Sequence, residues 1–294
     1  MKHGRRSLSG KRTHMKIKIT ADSTCDLSAE IAEQYGIQLI PLYVNKGGEY
    51  FRDGVDIHAA DIYAHVAAGG DLCSTAAVNL DDYTGLFTEL RKTYDAVIHF
   101  TISASMSSCF QNARIAGAEL GNIYVIDSEN LSTGIGQLAI EASLMAQQGM
   151  DAADIADTLN EMKKHLDVSF VLDTLEYLRK GGRCSALAAL GANLLSLKPC
   201  IEVRDGAMKV GKKYRGSLEK SVEKYIRERL ADVDSLDLRR IFVTHSGLPQ
   251  EFLDRMKAVV AECAPFAEIL QTQAGCTISS HCGPNCIGIL FFRK

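Results

Sequence analysis

No Gly-x-x-x-x-Gly-Lys-Ser/Thr loop and no Gly-x-Gly-x-x-Gly loop occurs in the sequence, so the common glycine-rich cradle for a nucleotide phosphate is missing. The Gly-x-Ser-x-Gly elbow that exposes a hydrolase serine is missing too. No uninterrupted apolar run approaches the ~18 residues that a membrane-spanning helix needs. The first fourteen residues carry five basic and no acidic side chains and lack the apolar centre of a secretory signal. They are expected to be a disordered leader or a tag, with the folded chain opening at Met15. Beyond them 28 Lys and Arg face 36 Asp and Glu, a net charge of −8, and no basic stripe is visible. Nucleic acid is therefore not an expected partner.

Nine cysteines are present, scattered and without a signal for export, which fits a reducing cytoplasm where most are small buried hydrophobes. Near the C-terminus Cys276, His281, Cys282 and Cys286 cluster, but only Cys282-Gly-Pro-Asn-Cys286 has half of the paired spacing of a zinc site. No metal or cofactor is expected. The chain is 294 residues long with 46% hydrophobic content, enough for about two domains with a sizeable core.

Hydrophobic patterning predicts strands at Ile17–Ala21, Ile37–Val44, 96–102 and Asn122–Asp127. Helices are expected after Ser28, over Asp61–Ala68, Leu80–Lys92 and 107–120, and at Gly134–Gln148. Buried strands alternating with helices imply a mostly parallel sheet with helices on both faces, over residues 15–165. From 166 to 294 the pattern is a separate α/β unit with a mixed sheet. A helix over Ala152–His165 leads to a strand at Val168–Leu172. The hairpin signal Arg204-Asp-Gly206 lies between strands, and Ser217–Leu230 and Pro249–Glu262 read as helices. Further strands are expected at Arg240–Thr244, Glu268–Gln271 and Ile287–Phe292. The crevice between the two domains is the expected ligand site.

Four polar stretches fall at strand ends: Asp22-Ser-Thr24, Ser74-Thr75, Ser103-Ala-Ser-Met-Ser107 and Ser279-Ser-His-Cys-Gly-Pro284. Each alone fits ordinary turn and cap chemistry; four together point to a site. The segment from Ser103 to Ala113 follows a buried strand and opens a helix, a favoured place for an anion, yet it holds no lysine, arginine or glycine.

These residues resemble the DegV family of bacterial fatty-acid-binding proteins, from Met15 to the end of the chain. Asp22-Ser-Thr-Cys-Asp-Leu27 is similar to the family's Asp-Ser-Thr-x-Asp-Leu, Ile40-Pro-Leu42 follows in order, and Ile102-Ser103, Met106-Ser107 and Phe110-Gln111 track Ile-Ser-Ser-x-Leu-Ser-Gly-Thr-Tyr-Gln. Leu175-Glu-Tyr-Leu-Arg-Lys-Gly-Gly-Arg183, Leu197-Lys-Pro199, Asp205-Gly206, Arg215-Gly216 and His281-x-Gly-Pro284 complete the series. The resemblance implies a lipid-binding protein, not an enzyme, that encloses one long-chain fatty acid in an apolar tunnel. Its carboxylate would be held by Thr and Ser hydroxyls, for an ATP-binding fatty acid kinase subunit to phosphorylate. A tail of about fifteen methylenes at ~0.8 kcal/mol each supplies roughly 12 kcal/mol gross, so the head group needs no lysine.

The departures are specific. Thr75-Ala-Ala-Val78 stands where the family has Thr-Ser-Gln-Pro, and Ser103-Ala104 replaces a pair of serines, leaving only the Ala104 N–H as second donor. The expected carboxylate ligands are Thr75, Ser103, Ala104 and His281. Arg183, beyond two glycines and ahead of a further helix, and Arg215 are the expected contacts for the crevice or the kinase partner. Their alternative is ion pairing with Glu176 or Glu202. A second reading from another class is a hydrolase of acyl compounds, with Ser103 as nucleophile and His281 as base.

Overall fold

A computed structural model describes residues 15–185 and 197–294. The first half runs β1 (Ile17–Asp22), α1 (Ala29–Gln34), β2 (Gln38–Ile40), β3 (Tyr43–Lys46), β4 (Glu49–Arg52), α2 (Ala59–Ala67), β5 (Ser74–Ala76), α3 (Leu80–Arg91), β6 (Ala96–Thr101), α4 (Cys109–Ala118), β7 (Ile123–Asp127), α5 (Thr133–Gln147) and α6 (Ala152–Met162). The second half runs β8 (Leu166–Val171), α7 (Glu176–Gly181), β9 (Leu197–Arg204), β10 (Ala207–Arg215), α8 (Leu218–Arg229), β11 (Leu236–Ser246), α9 (Gln250–Cys263), β12 (Glu268–Gln273), α10 (Cys276–Cys282) and β13 (Cys286–Arg293). No helix among the described residues is long and apolar enough to cross a membrane.

The first sheet has the order β2-β1-β6-β7 with every pair parallel. Every residue of β6 is buried, as befits a central strand covered on both sides. Helices α3 and α4 pack together on it, and α5 and α6 pack together opposite. Local signals start these helices where expected. The Ser28 hydroxyl accepts the Ile31 N–H at the head of α1, and the Asn79 side chain accepts that of Asp82 at the head of α3.

The expected continuous strand over 37–44 is two strands in two sheets. Pro41 lacks an N–H for the ladder, and pairing with β1 stops at Ile40. The chain then turns into β3, which pairs antiparallel with β4 and β5 in a small separate sheet. In that sheet β3 begins inside the expected strand, and β5 holds the polar stretch Ser74-Thr75.

The second sheet is mixed, with the order β10-β9-β8-β13-β11-β12 and only β11–β12 parallel. Asp205 and Gly206, with φ of 51° and 73°, make the two-residue turn between β9 and β10. Helix α5 joins the two halves: it is buried continuously from Thr133 to Ser143 and packs against β1 and β6 on one side and β8 and β13 on the other. Within it the Thr133 hydroxyl meets Thr244 at 2.7 Å, and the Gln137 Oε1 accepts from Arg240 at 3.0 Å. The helix expected beyond Arg183 lies outside the described residues.

Of the polar stretch Ser279–Pro284 expected at a strand end, residues 279–282 form the second half of a helix, α10. Its start is fixed by carboxylates from distant parts of the chain. Asp53 accepts the N–H groups of Cys276 at 2.8 Å and Thr277 at 3.0 Å, and Asp26 accepts that of Gly275 at 2.8 Å and the Ser132 hydroxyl at 2.5 Å. These bonds satisfy donors that a helix start leaves open. Burial pushes the Asp26 carboxyl up to about 8, against the pull of its two hydrogen bonds and with the charge of nearby Asp53 adding to the rise.

A raised carboxyl favours the protonated form in the fold, whereas an unfolded Asp ionises near ~3.9. Its contribution is therefore complete at low pH and lost as pH rises through about 8. Melting curves recorded from pH 6 to 9 should fall for the parent and fall less for Asp26→Asn, which keeps an acceptor for Gly275 without a charge. Parallel curves for the two proteins would rule out a protonated Asp26.

Candidate ligand-binding site

Two interior cavities adjoin between the sheets. The outer one is a cavity of about 50 Å³ where β5, α7 and α10 meet the segment after β6. Thr75, Arg183 and His281 stand on its wall among Leu42, Ile102 and Met106. The inner one, of about 20 Å³, shares Leu131, Ile278 and Cys282 with the outer, so the two adjoin as one narrow, constricted channel. Phe170, Gly288 and Leu290 of the second sheet line the inner part.

At the outer end the Thr75 Oγ1 and the His281 Nε2 lie 2.7 Å apart. Burial pushes His281 down to about 4, with the positive charge of Arg183 adding to the effect, so the ring is neutral near pH 7. With its proton on Nε2 the ring donates to Thr75 and leaves the threonine hydroxyl hydrogen free for an anion. The ring's Nδ1 has no partner among the described residues. It rests on Gly181, where a Cβ would lie 2.2 Å from it. On the far side of the same contact, a Cβ at Gly283 would lie 2.6 Å from the Tyr177 ring. These two glycines let α7 and α10 approach closely enough to set His281 against Thr75, which gives the Arg-Lys-Gly-Gly-Arg and His-x-Gly-Pro motifs a common physical purpose.

The sequence-derived site residues divide. Thr75, His281 and Arg183 come together; Arg183 is exposed at the mouth and donates from Nη1 to the Gly181 carbonyl at 2.9 Å. Ser103 and Ala104 do not line the channel. The Ser103 hydroxyl donates to the Gly206 carbonyl of the β9–β10 turn at 2.6 Å, and the Ala104 N–H donates to Asp127 at 3.2 Å. Those donors fasten the segment after β6 to its neighbours and are already spent. Ser103 and His281 thus bond to different partners, and no nucleophile–base pair joins them. Arg215 is exposed at the end of β10, away from the channel wall. Neither arginine takes the expected glutamates: Glu176 pairs with Lys180, and Glu202 with Arg204 and Arg229.

Asp22 and His99 serve the core. Asp22 accepts the Tyr83 hydroxyl at 2.6 Å and the Ile102 N–H at 3.1 Å, and the His99 Nδ1 lies 2.9 Å from the Thr20 hydroxyl. Leu131, Thr277 and Ile278 are channel residues that patterning passed over. For the last two the only signal was the i, i+4 spacing of Thr277 and His281 in a stretch too short to read as a helix.

The family described as "Uncharacterised protein, DegV family" matches residues 16–294, and the chain belongs to the DegV family. Its fold is that of a DegV family protein from Thermus thermophilus whose structure concerns fatty acid binding, with a TM-score of 0.87, 27% identity, and coverage of 95% of this chain and 100% of that one. DegV of Bacillus subtilis, a fatty acid binding protein, superimposes with a TM-score of 0.84 at 30% identity, again over 95% and 100% of the chains. A stearic-acid-binding protein from Eubacterium ventriosum does so with a TM-score of 0.81 at 26% identity, over 95% of this chain and 98% of that one.

Adding a methyl at Gly181 should push the imidazole away from Thr75 toward water. By NMR titration His281 of the parent is expected to stay neutral down to about pH 4, and in Gly181→Ala to titrate closer to the ordinary histidine value. Identical titrations would contradict the packing described for α7 and α10.

Proposed function

We propose that this protein binds one long-chain fatty acid, with its carboxylate at Thr75 and His281 and its tail in the channel between the units 15–165 and 166–294. The observation that carries this reading is the adjoining pair of cavities, which an acyl chain would join and widen on entering. One end offers a hydroxyl backed by a neutral histidine with a guanidinium at the mouth, and beyond it Leu, Ile, Phe and Cys side chains line the walls together with Ser132, Thr244, His245 and Ser246. Such a site matches a ligand with one anionic end and a long apolar body. The fatty acids bound by the Thermus, Bacillus and Eubacterium relatives support it.

A carboxylate held by a hydroxyl at an open mouth stays available as a nucleophile. In this reading the chain presents the acid, in the cytoplasm, to a separate ATP-using kinase subunit that forms the acyl phosphate. The chain's own part is binding: it needs no cofactor and carries out no chemistry alone. Arg183 at the mouth is the residue expected to meet the partner's phosphates, with Arg215 a second candidate contact on the surface.

Protein purified from cells and extracted with organic solvent should release a fatty acid in near one-to-one ratio. Thr75→Val should weaken binding of a labelled C16 acid by about 1–3 kcal/mol with the fold kept. An extract free of lipid, together with no rise in melting temperature on adding C14–C18 acids, would refute the reading. For the partner role, Arg215→Ala should retain lipid binding while kinase-dependent acyl phosphate formation falls, and Arg183→Ala should lower acyl phosphate formation by far more than it weakens lipid binding. Equal loss of both activities with a lowered melting temperature would assign the arginines to the fold instead.

A further inference from the structure

Thr277 stands on α10 one helical turn before His281, so the two side chains share a face. It is 4% exposed, its sealed hydroxyl has no hydrogen-bond partner among the described residues, and the residue borders the same cavity as Thr75 and His281. Its main-chain N–H is already given to Asp53 at 3.0 Å. The other hydroxyl on that wall, Ser107, is engaged: it accepts the Cys109 N–H at 3.3 Å and donates to the Cys109 sulfur at 3.2 Å. A buried hydroxyl with no partner is costly to the free protein and is kept where something else supplies the bond.

The faces of α10 indicate what that is. Ala274, just ahead of α10, borders only the inner part of the channel, Ile278 and Cys282 border both parts, and Thr277 and His281 border only the outer part. An acyl chain passing from the outer to the inner part therefore crosses α10 over Ile278 and Cys282. Thr277 and His281 stay side by side at the end where the polar group lies. A carboxylate has two oxygens and takes more than one donor, whereas Thr75 supplies one hydroxyl and the two donors expected from Ser103 and Ala104 are spent elsewhere.

We propose that Thr277 is a further head-group ligand, its hydroxyl donating to the carboxylate oxygen that Thr75 does not hold. The inference rests on the fatty-acid reading above. Thr277→Val keeps the shape of the side chain and removes the orphaned hydroxyl, so the lipid-free variant should melt no lower than the lipid-free parent.

Binding is measured for palmitic acid and for hexadecanol, which has the same chain and a single neutral oxygen. In Thr277→Val the Kd for the acid should rise about 10- to 100-fold, as for loss of a hydrogen bond to a charged group, and that for the alcohol should change far less. Thr277→Ser, which keeps the hydroxyl, should bind the acid within a few-fold of the parent. Unchanged acid binding in Thr277→Val would overturn the proposal, and so would an equal loss for acid and alcohol, which would make Thr277 a packing residue. Loss confined to a 3-hydroxy acid would overturn it as well, by assigning the hydroxyl to the acyl chain. If the parent itself binds no acid, the fatty-acid reading fails, and this one with it.

Discussion

The start of α10 is the constraint on which the site depends. Asp53, which follows β4 of the small antiparallel sheet, and Asp26, from the loop after β1, grip consecutive N–H groups of Gly275, Cys276 and Thr277. Two carboxylates close together at one helix end repel if both are ionised. The fold relieves this by holding Asp26 in a buried position where its carboxyl keeps a proton to about pH 8. The Ser132 hydroxyl binds the same carboxyl and ties in the residue that precedes α5. One small polar cluster thus registers the parallel sheet, the small sheet, the central helix and the C-terminal segment against each other.

From that register the remaining geometry follows. With its first turn pinned, α10 can place Thr277, Ile278, His281 and Cys282 only along one line of the channel. The absence of side chains at Gly181 and Gly283 lets α7 come close enough to cover the outer end. Helix α5 is buried against both sheets, with Thr133, Gln137 and Glu141 in one polar stripe that bonds Thr244 and Arg240 of the second sheet.

Much of this architecture was legible in the sequence. Alternating buried strands and helices gave the parallel sheet, and Asp205-Gly206 gave the second sheet's hairpin. What stayed hidden was short or held by distant contacts. Strands β3 and β5 have four and three residues, and α10 has seven, fewer than a helix needs to form by its own propensity. Its stability comes from Asp26 and Asp53, more than 220 positions away, which no local pattern reveals. The site divides on the same line. Thr75 and His281, expected from the family resemblance, do meet, whereas Ser103 and Ala104, expected from the same resemblance and from the tendency of strand–helix junctions to hold anions, do not join them. Here a hydroxyl is spent on a neighbouring turn and an N–H on Asp127.

The central claim is that a fatty acid lies head-outward in the channel that α10 crosses. The most direct measurement is the crystal structure of the protein loaded with palmitic acid. The account requires a carboxylate oxygen within hydrogen-bond distance of the Thr75 Oγ1 and a tail that passes Ile278 and Cys282 to end against Phe170 and Leu290. A carboxylate seated at Ser103 and Ala104, or a tail lying outside the two sheets, would contradict it.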